Sequence, residues 1–160
     1  MASPTPPSIT HIALIYRIYF LYWEPIGACI GAFLNITNPA RTLRATLPLP
    51  VTLTLTTPSD PIIHVSPLLR MHLIMIASLY ILFAIMIGIV LRLTRQKSIW
   101  LAVLSAMVCT DIGHLYGIWE LAPGRFFEVA SWNFDEWTNY GTLFAGMGLR
   151  IAFLMGFGRR

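Results

Sequence analysis

The sequence predicts an all-α membrane protein, a four-transmembrane-helix bundle, and three observations carry that prediction. Of its 160 residues, 56% are hydrophobic and 11% charged, and the mean hydropathy is +0.68, too apolar for a soluble domain of this size. Four segments, near 12–34, 68–91, 99–121 and 138–157, are each long enough to cross about 30 Å of hydrocarbon at about 1.5 Å per residue. Basic residues gather beside the ends of these segments, as the positive-inside rule describes. Together these features make residues 1–160 one transmembrane domain, with extramembrane connections at 35–67 and 122–137.

The opening "MASPTPPSIT" has no basic n-region and no small-residue cleavage site, so the first segment reads as a retained helix rather than a removable signal. Cys29 and Cys109 fall inside predicted spans, with no CxxC or Cys/His metal spacing, and read as small core residues. The first connection holds six prolines. Prolines break helices, and "VTLTLT" as a lone strand has no sheet to join, so the expectation is an extended loop on the membrane surface. Asn35-Ile-Thr37 fits the glycosylation sequon but lies too close to the first helix for modification.

The second connection carries Arg92, Arg95 and Lys97, and the chain ends in Arg159 and Arg160. These basic ends place both termini in the cytoplasm, with the endoplasmic reticulum as the expected membrane. The net charge of +4 is thereby explained by topology, and no nucleic-acid partner is expected. The opposite side mixes Arg41, Arg44 and Arg125 with Asp60, Glu128, Asp135 and Glu136.

The third connection interleaves Phe126, Phe127, Trp132, Phe134 and Trp137 with acids. An aromatic belt at the bilayer interface accounts for most of these rings; a lid over the bundle is the sharper alternative. In the fourth segment the small residues of "GTLFAGMGLR" suit close helix packing. No internal repeat and no GxGxxG or phosphate-binding loop is present.

Ionisable groups inside the predicted spans carry the functional argument. Glu24 and Asp111 each lie about twelve residues along helices that climb in the same direction, which brings both carboxyls to a similar depth. His114 follows Asp111 by three residues, on the same helix face and one turn nearer the outer side, with Tyr116 and Glu120 toward the interface. Arg17 and Arg150 fall in the inner half, and each can reach toward a carboxyl, Glu24 with either arginine and Asp111 with the other. Charges at such depth cost about 2.5–3.5 kcal/mol each on translocon scales, so they face the bundle interior and pair. Buried ion pairs that fix helix register are the bland reading of these residues.

The functional reading starts from the same desolvation. A carboxyl in an apolar pocket keeps its proton and serves as an acid, while one beside an arginine stays ionised and serves as a base. Two such groups, with aromatic faces to stabilise positive charge, suit opening an epoxide, moving a double bond or starting a cationic cyclisation. Asp111, His114 and Glu24 are the candidate catalytic residues. Trp23, Tyr116, Trp132, Trp137, Asn139, Arg17 and Arg150 are the candidates for binding a lipophilic substrate. No metal and no cofactor is called for, because the acids and His114 form no zinc constellation.

The stretches "RIYFLYWEPIGACIGAF", "TDIGHLYGIWEL", "FFEVASWNFDEWTNYG" and "LRIAFLMGFG", in this order, resemble the small fungal four-helix membrane proteins found beside biosynthetic genes for polyketides and terpenoids. Much of that family is a domain of unknown function, and some members are assigned as membrane epoxide hydrolases or cyclases. The architecture is similar in outline to the emopamil-binding and sterol-isomerase group. By position, the resemblance implies roles for Glu24 of "EP", Asp111 and His114 of "DIGH", Trp132, Trp137, Asn139 and Arg150. In the family pattern an aspartate directly precedes the second tryptophan; here Glu136 stands there and Asp135 one residue earlier, which leaves open which acid belongs to the site.

The first reading is therefore a membrane enzyme of fungal secondary metabolism that opens an epoxide in a lipophilic polyketide or terpenoid intermediate, by water or by an internal hydroxyl. A terpene cyclase or double-bond isomerase is the alternative enzyme. A non-catalytic lipid-binding or scaffold protein that gathers other biosynthetic enzymes is the alternative of a different class. A cavity touching Glu24 and Asp111 favours catalysis, and ion pairs closed on each other favour the scaffold.

Overall fold

The computed structural model describes residues 9–56 and 63–159. The expected cytoplasmic termini fall partly on residues 1–8 and Arg160, and the outer-side Asp60 on residues 57–62; these lie outside the described residues. Among the described residues every regular element is helical; Ile12 and Arg159 form an isolated antiparallel bridge.

The first long helix is built from α1 (Leu14–Ile18), a π-helical turn (Tyr19–Trp23) and α2 (Glu24–Thr37). Pro25 accounts for the π turn. It has no N–H to give the carbonyl four residues back, and its ring crowds that carbonyl. The freed Leu21 carbonyl accepts instead from Arg92 Nη2, whose guanidinium lies 4.3 Å from the Tyr22 ring centre. One of the basic residues of the second connection thus completes the backbone of the first helix.

The connection expected as an extended loop contains two short helices, α3 (Pro39–Thr46) and α4 (Leu49–Thr54). Two of its prolines start helices rather than break them. Pro39 and Pro50 sit in first turns, where a missing N–H costs nothing, and Asn38 Oδ1 caps α3 by accepting from Arg41 N at 3.2 Å.

The second long helix joins α5 (Pro67–Ile85), a π-helical turn (Met86–Val90) and α6 (Leu91–Leu93); Ser66 caps it, its Oγ accepting from Leu69 N at 3.2 Å. The third is α7 (Lys97–Leu121). After it come α8 (Pro123–Phe127), a 3₁₀ turn (Val129–Ser131) and α9 (Phe134–Glu136). A π-helical turn (Trp137–Gly141) then leads into α10 (Thr142–Leu154).

The four long helices alternate in direction. At one end Ile9 N donates to the Arg95 carbonyl and Ala13 N to the Gly158 carbonyl, both at 2.8 Å. At the other end Asn139 Nδ2 and Tyr140 OH both donate to the Thr46 carbonyl at 3.4 Å. Helix α2 packs along α5, and α7 along α10. Near the first end Tyr16, Phe20, Trp100 and Phe153 form a buried ring cluster, with Trp100 stacked on Phe153 at 5.5 Å.

Two helices, Pro67–Leu93 and Lys97–Leu121, are long and apolar enough to cross a membrane. The cysteines differ from expectation: Cys29 and Cys109 are free and stand on exposed faces, not in the core. Helical phase explains it, since Cys109 lies two residues from both Met107 and Asp111, which are buried in the seam. Asn35 of the sequon is buried in α2.

A candidate acid–base site inside the helical bundle

Three ionisable side chains from three long helices meet in the interior. Glu24 follows the π turn of the first helix, Asp111 sits midway along α7, and Arg150 projects from α10. Arg150 Nη2 pairs with Glu24 Oε1, and Nη1 donates to Asp111 Oδ2. Asp111 and Arg150 are each 3% exposed. One guanidinium therefore serves two carboxyls. Two atoms of the group, Glu24 Oε2 and Arg150 Nε, are buried with no hydrogen-bond partner among the described residues, an arrangement proteins rarely tolerate without a reason.

Helical phase brings these residues together. Trp100, Val103, Leu104, Met107, Asp111 and Leu115 form the buried stripe of α7, so Asp111 occupies a core position of the seam with α10. His114 falls on the exposed side. Three residues turn a helix by about 300°, enough to carry His114 out of the stripe that Asp111 and Leu115 share. His114 makes no hydrogen bond or ion pair among the described residues, and the partner of Asp111 is Arg150. Arg17 is exposed on α1 and does not join either carboxyl.

Sequence reasoning passed over Tyr19. In the π turn the Glu24 N–H donates to the Tyr19 carbonyl, stacking the two residues across one turn, where an α-helix would set them about 140° apart. The phenol reaches α10, where its hydroxyl is 3.5 Å from the Thr142 carbonyl. Gly146 makes room for it: a Cβ there would lie 2.5 Å from the Tyr19 hydroxyl and 3.1 Å from Arg150 Nη1. The available signals were Pro25, which produces the π turn, and a glycine one turn before Arg150.

At the end of the bundle where α7 stops, the two connections form a cap held by Glu136. This carboxylate accepts from Arg125 Nε at 3.1 Å and Nη2 at 2.7 Å, from Asn133 N at 2.8 Å and from Leu49 N at 3.1 Å. Burial alone would push the Glu136 carboxyl up, but the hydrogen bonds from Arg125, Asn133 and Leu49 outweigh it and hold it below the usual range. Its hydrogen bond to Glu136 raises Arg125 in turn. Asp135 is exposed and lines a pocket of about 490 Å³ with Ala40, Arg41, Arg44, Ala45 and Ile63. Of the two loop acids, Glu136 is the one built into the protein.

Trp132 is buried in the cap, its Nε1 donating to the Arg125 carbonyl at 3.1 Å and its ring meeting Tyr140 edge-on at 5.4 Å. Trp137 touches Trp132 edge-on at 5.2 Å but is half exposed. Trp23 and Tyr116 face outward. Tyr116 lines an apolar groove of about 360 Å³ with Ile112, Leu115, Trp119, Phe126, Phe127 and Met147. Asn139 is tied to the Thr46 carbonyl of α3. Among the described residues no three His, Cys, Asp or Glu side chains are placed to hold a metal ion.

Comparison with curated proteins and with solved structures gave no match. A family model, described as a domain of unknown function, DUF7704, matches residues 9–160. Nearly the whole chain, including Glu24, Asp111 and Arg150, lies inside that match, and the protein belongs to the DUF7704 family.

Proposed function

We propose that this protein is a four-span integral-membrane enzyme that opens an epoxide in a lipophilic substrate by carboxyl acid–base catalysis. The observation that carries the reading is the convergence of Glu24 and Asp111 on Arg150, with Glu24 Oε2 and Arg150 Nε left unpartnered among the described residues. Four spans are supported by large apolar side chains on the outside of all four long helices. Leu14 and Ile30 of the first, Leu79 of the second, Ile112 of the third and Ile151 of the fourth are at least 40% exposed, a surface that suits hydrocarbon and not water. The resemblance to fungal proteins of polyketide and terpenoid biosynthesis supplies the substrate class, with the endoplasmic reticulum as the membrane and both termini in the cytoplasm.

Charge balance divides the labour. One ionised carboxylate neutralises Arg150, and a second carboxyl that carries a proton leaves the group uncharged in its apolar surroundings. The protonated carboxyl gives its proton to the epoxide oxygen as the C–O bond breaks. Water, or an internal hydroxyl, forms the new bond to carbon, and the ionised carboxylate takes its proton. Water gives a vicinal diol and the internal hydroxyl a cyclic ether. The enzyme's proton count is unchanged. Arg150 orients both carboxyls, and the aromatic cap closes one end of the bundle.

A second reading has an observation of its own: Arg150 is closed against both carboxyls in the way of a register-fixing ion group, and neither pocket described above includes it. Asp111→Asn and Glu24→Gln separate the two. Each variant, purified into nanodiscs, is measured for thermal stability and for conversion of a linear long-chain terminal epoxide and a farnesyl-derived epoxide. Stable but inactive variants support catalysis. Stable variants with near-normal conversion, or a wild type that converts neither epoxide, overturn it.

A further inference from the structure

The Tyr19 hydroxyl is short of a good partner. Among the described residues its only hydrogen bond is to the Thr142 carbonyl at 3.5 Å, at the outer limit for an O–H donor. Three features nevertheless hold it beside the ion group. Pro25 forces the π turn that stacks Tyr19 on Glu24. Arg92 satisfies the carbonyl that this turn releases. Gly146, one turn before Arg150, leaves a gap that both the phenol and the Arg150 guanidinium enter. An alanine methyl at that position would sit 2.5 Å from the hydroxyl, inside van der Waals contact. A π turn costs regular helix geometry and recurs at functional sites. Here its result is to bring a neutral donor to the place where two carboxyls and a guanidinium already meet.

We infer that Tyr19 is a fourth polar member of this site, its hydroxyl held beside Arg150 across Gly146 to donate a hydrogen bond to the substrate oxygen that gains negative charge. The inference rests on the acid–base reading above for its chemistry, and on geometry alone for the placement of Tyr19. As an epoxide C–O bond breaks, its oxygen becomes more basic, and a neutral O–H aimed at it gains strength in the transition state. The phenol keeps its proton throughout and does not change the balance of the reaction. It is an oxyanion-type donor, and the carboxyls remain the groups that exchange protons.

Two arms test this, and they fail separately. In the first, tyrosines are labelled at the ring carbon that bears the hydroxyl, and the Tyr19 resonance is identified by its loss in Tyr19→Phe, all in nanodiscs without substrate. That resonance is expected to move in Asp111→Asn or Glu24→Gln and to stay in place in Glu128→Gln, an exposed loop change. Movement in neither site variant, or equal movement in the loop control, overturns the placement. In the second arm Tyr19→Phe is expected to lower kcat for the converted epoxide about 10²-fold, with KM and melting temperature little changed. Gly146→Ala is expected to reproduce the loss while keeping the phenol. Unchanged kcat in Tyr19→Phe overturns the catalytic role. A wild type that converts neither epoxide removes the acid–base reading, and the resonance then decides alone whether Tyr19 belongs to the group.

Discussion

Glu136 and Leu49 are 87 residues apart in the chain, and the Leu49 N–H donates to the Glu136 carboxylate at 3.1 Å. With Arg125 and Asn133 on the same carboxylate, this bond ties the first connection to the third. Glu136 is 1% exposed, so its charge is stabilised by these donors and not by water. Glu136→Gln keeps one acceptor oxygen but turns an NH₂ group toward N–H donors. The expected cost is about 1–3 kcal/mol, read as a lower melting temperature. The measurement uses protein in nanodiscs.

The same carboxylate makes the cap sensitive to acid. Its pKa is held below the ordinary glutamate value of 4.5, so the folded protein binds a proton less readily than the unfolded chain does. The stabilisation from this group is complete above the ordinary value and is lost as pH falls through the depressed one. The difference in melting temperature between wild type and Glu136→Gln is expected to be constant from neutral pH down to about pH 5 and to shrink below that. A difference that instead grows in acid would show that Glu136 is not held as a carboxylate.

Trp132 and Trp137 are five residues apart and have opposite surroundings, buried and half exposed. Trp132→Ala removes a buried indole that touches Tyr140 and Phe144, a change that costs about 3–5 kcal/mol in a core. Limited proteolysis is expected to cut the third connection faster in Trp132→Ala than in wild type. Trp137→Ala is expected to leave the cleavage rate near that of wild type, as suits an interface ring. Equal rates in both variants would return both tryptophans to the bilayer belt.

Much of the helical layout was legible because hydrophobic length and terminal caps are local signals. The convergence of Glu24 with Asp111 followed from counting residues along helices that climb in the same direction. What the count missed came from interactions between distant segments. The prolines at 39 and 50 read as breakers, since only the cap at Asn38 and the placement in first turns make them starters. By spacing alone His114 shares the face of Asp111; a difference of about 60° decides between seam and surface, and the stripe from Trp100 to Leu115 fixes that phase only once α10 is in place. Arg17 and Arg150 were equal candidates for the carboxyls until the π turn and the Gly146 gap set the geometry. Glu136 could have been preferred over Asp135 from "NFDE" alone, because Asn133 and Glu136 have capping-box spacing.

Topology has a direct test. In the fold, Lys97 begins α7 and Val129 lies beyond its other end, and both are exposed. With Cys29 and Cys109 replaced by alanine, since both are exposed thiols, single cysteines at these two positions are labelled in sealed microsomes. Lys97→Cys is expected to react with an impermeant reagent from the cytoplasmic side and Val129→Cys only after permeabilisation. Reaction of both from the same side would rule out a crossing by α7.

At Arg150 the structural and catalytic readings diverge most clearly. Arg150→Met removes the guanidinium and leaves Glu24 and Asp111 buried without a counter-ion. Breaking a buried ion group in this way costs about 3–5 kcal/mol, whereas replacing the whole group with neutral side chains is often nearly neutral. The combined variant Glu24→Gln, Asp111→Asn, Arg150→Met is therefore expected to recover most of the melting temperature that Arg150→Met alone loses. Such recovery is common to both readings, because it follows from burial and charge. Conversion separates them: the recovered triple variant is expected to turn over no epoxide, having lost every group that exchanges a proton. If it instead converts epoxide at the wild-type rate, the three residues serve only helix register and the chemistry lies elsewhere. If it does not recover stability, the group does not act as a single ion cluster, and the paired geometry of Glu24, Asp111 and Arg150 is not what holds these helices together.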